Sequence, residues 1–85
     1  MNVLNMYRCD DIIKGVMWNG YYFNVPIWVG YLAMDKNGNL YAYQENAEPE
    51  VRGSYWYETK SFDKDSILLA KIEYDGDWKD SLVKV

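Results

Sequence analysis

The stretch Trp28-Val29-Gly30-Tyr31-Leu32-Ala33-Met34-Asp35-Lys36-Asn37-Gly38-Asn39-Leu40-Tyr41-Ala42-Tyr43-Gln44 decides the fold. Two apolar and aromatic runs flank Asp35-Lys36-Asn37-Gly38, the pattern of strand, turn, strand. Aspartate at the first turn position hydrogen-bonds nearby backbone, and glycine at the fourth takes positive φ freely, which predicts a type I turn closed by a glycine bulge. That turn sets the register: Asp35 faces Asn39, Met34 faces Leu40, Leu32 faces Ala42 and Tyr31 faces Tyr43. A tighter Asn37-Gly38 loop would pair Met34 with Tyr41 and slip the whole ladder. In the predicted register one face carries Trp28, Leu32, Met34, Leu40 and Ala42, and the other Val29, Tyr31, Ala33, Tyr41 and Tyr43. With both faces apolar or aromatic, the pair is either buried on both sides, as in a small barrel, or has one core face and one exposed aromatic face.

Upstream, Val16-Met17-Trp18 and Tyr21-Tyr22-Phe23 flank Asn19-Gly20, the pair best suited to the two positive-φ positions of a tight hairpin turn. Pro26 ends this second hairpin, because proline cannot donate to a ladder and keeps Val25 extended. Downstream, Ser54 to Glu58 and Ile67 to Tyr74 are rich in strand-favouring residues, with a short helix as the alternative for the latter. The polar segment Gln44 to Gly53, with Pro49 and no apolar periodicity, reads as a loop. Asp75-Gly76-Asp77 reads as a turn in which Asp77 caps one helical turn through Trp78, Lys79 and Asp80, and Leu82 to Val85 as a closing strand. Val3, Leu4, Met6, Tyr7, Ile12 and Ile13 fit a strand, a short helix or both, with a break at Asp10-Asp11. The expected fold is therefore mainly β, or small α+β: a compact antiparallel sheet or small barrel of hairpins with at most one or two short helical turns, forming a single domain over residues 1–85.

A chain of 85 residues is at the lower end for a self-sufficient domain, hiding only about 60 to 65% of the surface its unfolded form exposes. Its one cysteine allows no internal disulfide and it has no histidine, so apolar burial must hold the fold. Nine tyrosines, four tryptophans and two phenylalanines supply rings that each bury roughly 150 to 250 Å². The net charge of -4 disfavours a nucleic-acid polyanion and polybasic docking on a membrane. No apolar run is long enough to span a bilayer. Met1-Asn2-Val3-Leu4 lacks the basic lead-in of a signal peptide, and with the lone Cys9 this points to a cytoplasmic location.

The absence of histidine removes the commonest general base, the commonest neutral metal ligand and every Ser-His or Cys-His pair. No phosphate loop is present. Asp35-Lys36-Asn37-Gly38-Asn39 departs from EF-hand spacing, which places glycine sixth and a bidentate glutamate twelfth. No catalytic residue, metal site or cofactor is expected, and the chain is read as a binding protein, not an enzyme. Cys9, flanked by Asp10 and Asp11, reads as a small packing residue, since nearby carboxylates oppose thiolate formation. The clusters Tyr21-Tyr22, Tyr41/Tyr43 and Tyr55-Trp56-Tyr57 suit either protein recognition, in which Tyr and Trp dominate, or stacking of single-stranded bases. Base stacking also needs a basic groove, and Lys36, Arg52 and Lys60 are sparse and flanked by acids. The candidate binding residues are Tyr31, Tyr41, Tyr43 and Trp56. A second candidate feature is an acidic surface of Glu45, Glu48, Glu50, Asp63 and Asp65, which would mimic nucleic acid if it formed one array.

The segment Asn24-Val25-Pro26-Ile27-Trp28 through Tyr43, followed by Pro49, Trp56 and Asp77-Trp78-Lys79-Asp80-Ser81-Leu82, resembles small accessory proteins encoded by tailed bacteriophages. These share a Pro-x-Trp lead-in, an Ala-x-Asp-x-x-Gly hairpin, an aromatic strand after it and a terminal Asp-Trp-x-x-Ser-Leu. The shared motifs are mostly turn and core chemistry and carry no catalytic residues across. The resemblance implies action in the cytoplasm of an infected bacterium, as an inhibitor or modulator that binds a host defence, nuclease or toxin protein. A single-stranded nucleic-acid module is the alternative. A homodimer through an exposed aromatic face or a free strand edge is a further possibility.

Overall fold

The computed structural model describes residues 13–58 and 66–85. In chain order the strands among these residues are β1 (Ile13–Trp18), β2 (Tyr21–Pro26), β3 (Val29–Met34), β4 (Asn39–Gln44), β5 (Glu50–Arg52), β6 (Tyr55–Tyr57), β7 (Ile67–Lys71) and β8 (Val83–Lys84), with a 3-10 turn over Trp78–Asp80. The fold is mainly β, and every strand pairing among the described residues is antiparallel. A four-stranded sheet of order β7-β4-β3-β8 lies between two separate hairpins, β1-β2 and β5-β6. The expectation of a mainly β domain built of hairpins holds.

The central turn forms as its residues dictate. Gly38 sits at φ +94, its N–H donates to the Asp35 carbonyl at 2.9 Å, and the Asp35 N–H donates to the Asn39 carbonyl at 2.9 Å. The register follows, with Met34 opposite Leu40, Leu32 opposite Ala42 and Tyr31 opposite Tyr43. In the first hairpin Asn19 and Gly20 take φ 46 and φ 84, and the chain reverses between the paired Trp18 and Tyr21. Asp77 caps the 3-10 turn, its Oδ1 accepting from the Lys79 N–H at 3.0 Å.

Two expectations are corrected. Val29 lies on the opposite face from the one predicted, because the register shifts between Val29 and Tyr31 and the extra residue, Gly30, is a bulge that turns Val29 over. Gly30 has no room for a side chain, since a Cβ there would run into the Glu45 backbone. The segment from Gln44 to Gly53 is also not loop throughout: Glu50–Arg52 form β5 and pair with Tyr55–Tyr57. Over 67–74 the strand reading prevails, with β7 at Ile67–Lys71. The expectations for residues 1–12 lie outside the described residues.

Both faces of β3-β4 are covered. Leu32, Met34, Leu40, Ala42 and Val29 pack with Val16, Trp18 and Val25 of the β1-β2 hairpin. Ala33 and Tyr43 pack with Trp56 of the β5-β6 hairpin, flanked by Tyr31, Tyr41 and Leu82, and Trp78 touches both clusters. Ser81 ties the layers together. Its hydroxyl accepts from the Met34 N–H at 2.8 Å and donates to the Met34 carbonyl at 3.1 Å, and its own carbonyl accepts from Trp18 Nε1 at 2.7 Å. Beyond the short β8, this side chain satisfies the Met34 backbone groups on the edge of β3. The Asp77-to-Leu82 motif is thus cap, bridge and core.

Candidate functional site

The β5-β6 hairpin docks on the turn between β3 and β4. Asp35 Oδ1 accepts from the Trp56 N–H at 2.8 Å, and the Lys36 N–H donates to the Ser54 carbonyl at 3.1 Å. These bonds and the packing of Trp56 hold a three-residue strand pair that would be marginal alone. The Trp56 ring turns inward, donates from Nε1 to the Met34 carbonyl at 2.9 Å and meets Trp78 edge-on with centroids 6.4 Å apart. Alternation then sends Tyr55 and Tyr57 outward, where they are 45% and 40% exposed, and the Arg52 guanidinium lies 4.1 Å from the centre of the Tyr57 ring.

Beside Trp56 is an open groove of about 220 Å³. Tyr41 and Tyr43 of β4, Tyr55 and Trp56 of β6, and the carboxylates of Asp35 and Glu58 line it, together with Ser66. Among the described residues no Lys or Arg lines it; Lys36 belongs to a neighbouring depression of about 310 Å³ that shares Asp35 and Tyr55. Burial raises the Asp35 carboxyl above its ordinary value, opposed by the hydrogen bond from Trp56. The Tyr43 hydroxyl is pushed far above the ordinary tyrosine range, first by burial and then by the negative charges of Asp35 and Glu58. Rings and carboxylates set together attract cations and repel anions.

Three of the four sequence-predicted binding residues, Tyr41, Tyr43 and Trp56, converge on this groove. Tyr43 and Trp56 are buried and Tyr41 is half-buried, so what they offer is a wall. Tyr31 is half-buried beside the same cluster and does not line the groove. Glu45, Glu48 and Glu50 are exposed in and around the connection from β4 to β5, away from the groove, and Asp63 and Asp65 lie outside the described residues. The candidate list omitted Asp35, read only as a turn former, and Glu58. It also omitted Tyr55 and Tyr57, whose placement either side of an inward Trp56 was visible as a two-residue alternation.

A second exposed surface is the outer side of β1-β2, where Ile13, Met17 and the Met17-paired Tyr22 stand open. Among the described residues there is no group of three His, Cys, Asp or Glu side chains able to hold a metal ion, and no helix long and apolar enough to cross a membrane. Neither protein-family models, nor curated proteins, nor solved structures include a match to this chain.

Proposed function

We propose that this domain is a protein-binding module whose contact surface is the outer face of the β5-β6 hairpin. The observation that carries the reading is that Tyr55 and Tyr57 are exposed on a hairpin whose other side is pinned by Trp56, with Arg52 over Tyr57. Tyrosine and arginine are the residues that most often dominate protein interfaces, and a fixed backbone lowers the entropy lost on binding. The phage resemblance supports the finer reading: the partner is a bacterial host protein of a defence, nuclease or toxin system, bound and inhibited in the host cytoplasm. The nucleic-acid alternative is weaker, because a phosphate backbone passing the exposed tyrosines would meet Asp35 and Glu58.

The test is retention of a defined bacterial protein by the immobilised chain, compared with the Tyr55→Ala/Tyr57→Ala variant. The expected result is a stoichiometric partner whose affinity falls at least tenfold in the variant, on the order of 1.4 kcal/mol, while the melting temperature is kept. Equal retention by the variant, or no partner across lysates of diverse bacteria, would overturn the reading.

A further inference from the structure

We propose that the groove between β4 and β6 is a binding site for an organic cation, an alkylammonium or guanidinium head group. Four aromatic side chains line it and two carboxylates, Asp35 and Glu58, stand at it. Among the described residues neither carboxylate is in an ion pair, and the protein donor to Asp35 is the Trp56 N–H. A half-buried carboxylate without a counter-charge is costly, and a cation entering the groove recovers that cost while meeting the rings. Carboxylates that only solubilise the fold need no such aromatic surroundings. Here the turn that starts β4 and the end of β6 bring one each to the same aromatic walls.

The size of the groove selects the ligand class. At about 220 Å³ it falls below the roughly 300 to 1,000 Å³ of pockets that enclose a whole drug-sized molecule, and suits one head group. Tyr43, buried in the groove wall, has its ionisation opposed first by that burial and then by Asp35 and Glu58. Arg52 is engaged over Tyr57, and Lys36 lines the adjoining depression, so neither of these two nearby cations fills the groove.

The test titrates the full chain with methylguanidinium, methylammonium and tetramethylammonium chlorides to about 50 mM, against sodium chloride at matched ionic strength, following the Trp56 indole N–H and tyrosine ring resonances by NMR. A saturable shift with a dissociation constant on the order of 1 mM is expected, within what so few heavy atoms can supply. The Glu58→Gln and Asp35→Asn variants are each expected to weaken binding severalfold; Asn keeps an oxygen for the Trp56 N–H, and the unshifted Trp56 indole signal verifies the fold. Preference for methylguanidinium or methylammonium marks a partner's Arg or Lys side chain as the natural source, and preference for tetramethylammonium marks a free quaternary amine; either supports the site. Shifts no larger than those in sodium chloride, or binding unchanged in the variant lacking both carboxylates, would overturn it.

Discussion

Ser81 and Asp35 show how single side chains carry opposite burdens in this fold. Ser81 is fully buried and meets both backbone groups of Met34, so Ser81→Ala leaves a buried N–H without its partner. The expected loss is about 1 to 3 kcal/mol, read as a lower urea midpoint with an unchanged slope. Asp35 is held in its charged form against burial, which raises its carboxyl above the ordinary value. A group with a raised folded pKa contributes stability below its unfolded pKa and loses it as pH climbs through the folded one, so at neutral pH the Asp35 charge opposes folding. Asp35→Asn is therefore expected to raise the melting temperature at pH 7 and to narrow the gap toward pH 3, while weakening cation binding; a fall in melting temperature would contradict this. Tyr43 gives the alkaline counterpart. Burial holds its folded pKa above the ordinary tyrosine value of about 10, so its contribution is complete below that value and is lost as pH climbs from there toward the folded one. Ultraviolet titration of tyrosinate should show one ring that ionises only as the protein unfolds.

Among the elements, the β3-β4 hairpin was the most legible, because its geometry is set by residues within the turn. Gly38 concentrates that dependence: it sits at φ +94, and a Cβ there would stand 2.5 Å from the Ile72 carbonyl oxygen. Gly38→Ala is expected to cost more than the about 1 to 2 kcal/mol of the left-handed backbone alone, because the chain after β7 must also move, which would strain the 2.8 Å bond from the Ile72 N–H to the Gly38 carbonyl. Chemical denaturation measures it. What the sequence did not reveal arises between elements. Val29 changes face because of a bulge at Gly30, where the Glu45 backbone packs close and the Val85 N–H bonds the Gly30 carbonyl. Glu50-Val51-Arg52 has no apolar alternation, and becomes a strand because Trp56 anchors its partner to Met34. The same limit governs the groove: the aromatic walls Tyr41, Tyr43 and Trp56 could be picked out by residue type, whereas Asp35 and Glu58 meet only when one hairpin folds across the turn of another.

At the scale of the molecule, two small cores share one pair of strands, and that sharing is what lets so short a chain do without a disulfide. Val25 is fully buried in the core between β1-β2 and the sheet, and Trp56 closes the core on the other side. Leu32 and Ala33, neighbours on β3, belong to different cores, and Trp78 touches both. A two-stranded hairpin alone is marginal at best in water, so the described layers are expected to unfold as one unit. Val25→Ala removes apolar volume from one side only and is expected to cost about 2 kcal/mol. If the cores are one cooperative unit, the Trp56 indole N–H, on the far side of the sheet, should exchange with solvent faster by the same factor as the Trp18 indole N–H, roughly thirtyfold for that loss of stability. Faster exchange at Trp18 with Trp56 unchanged would mean that each hairpin protects its own core, and the β4-β6 groove would then be built on a sheet that stays intact when β1-β2 opens.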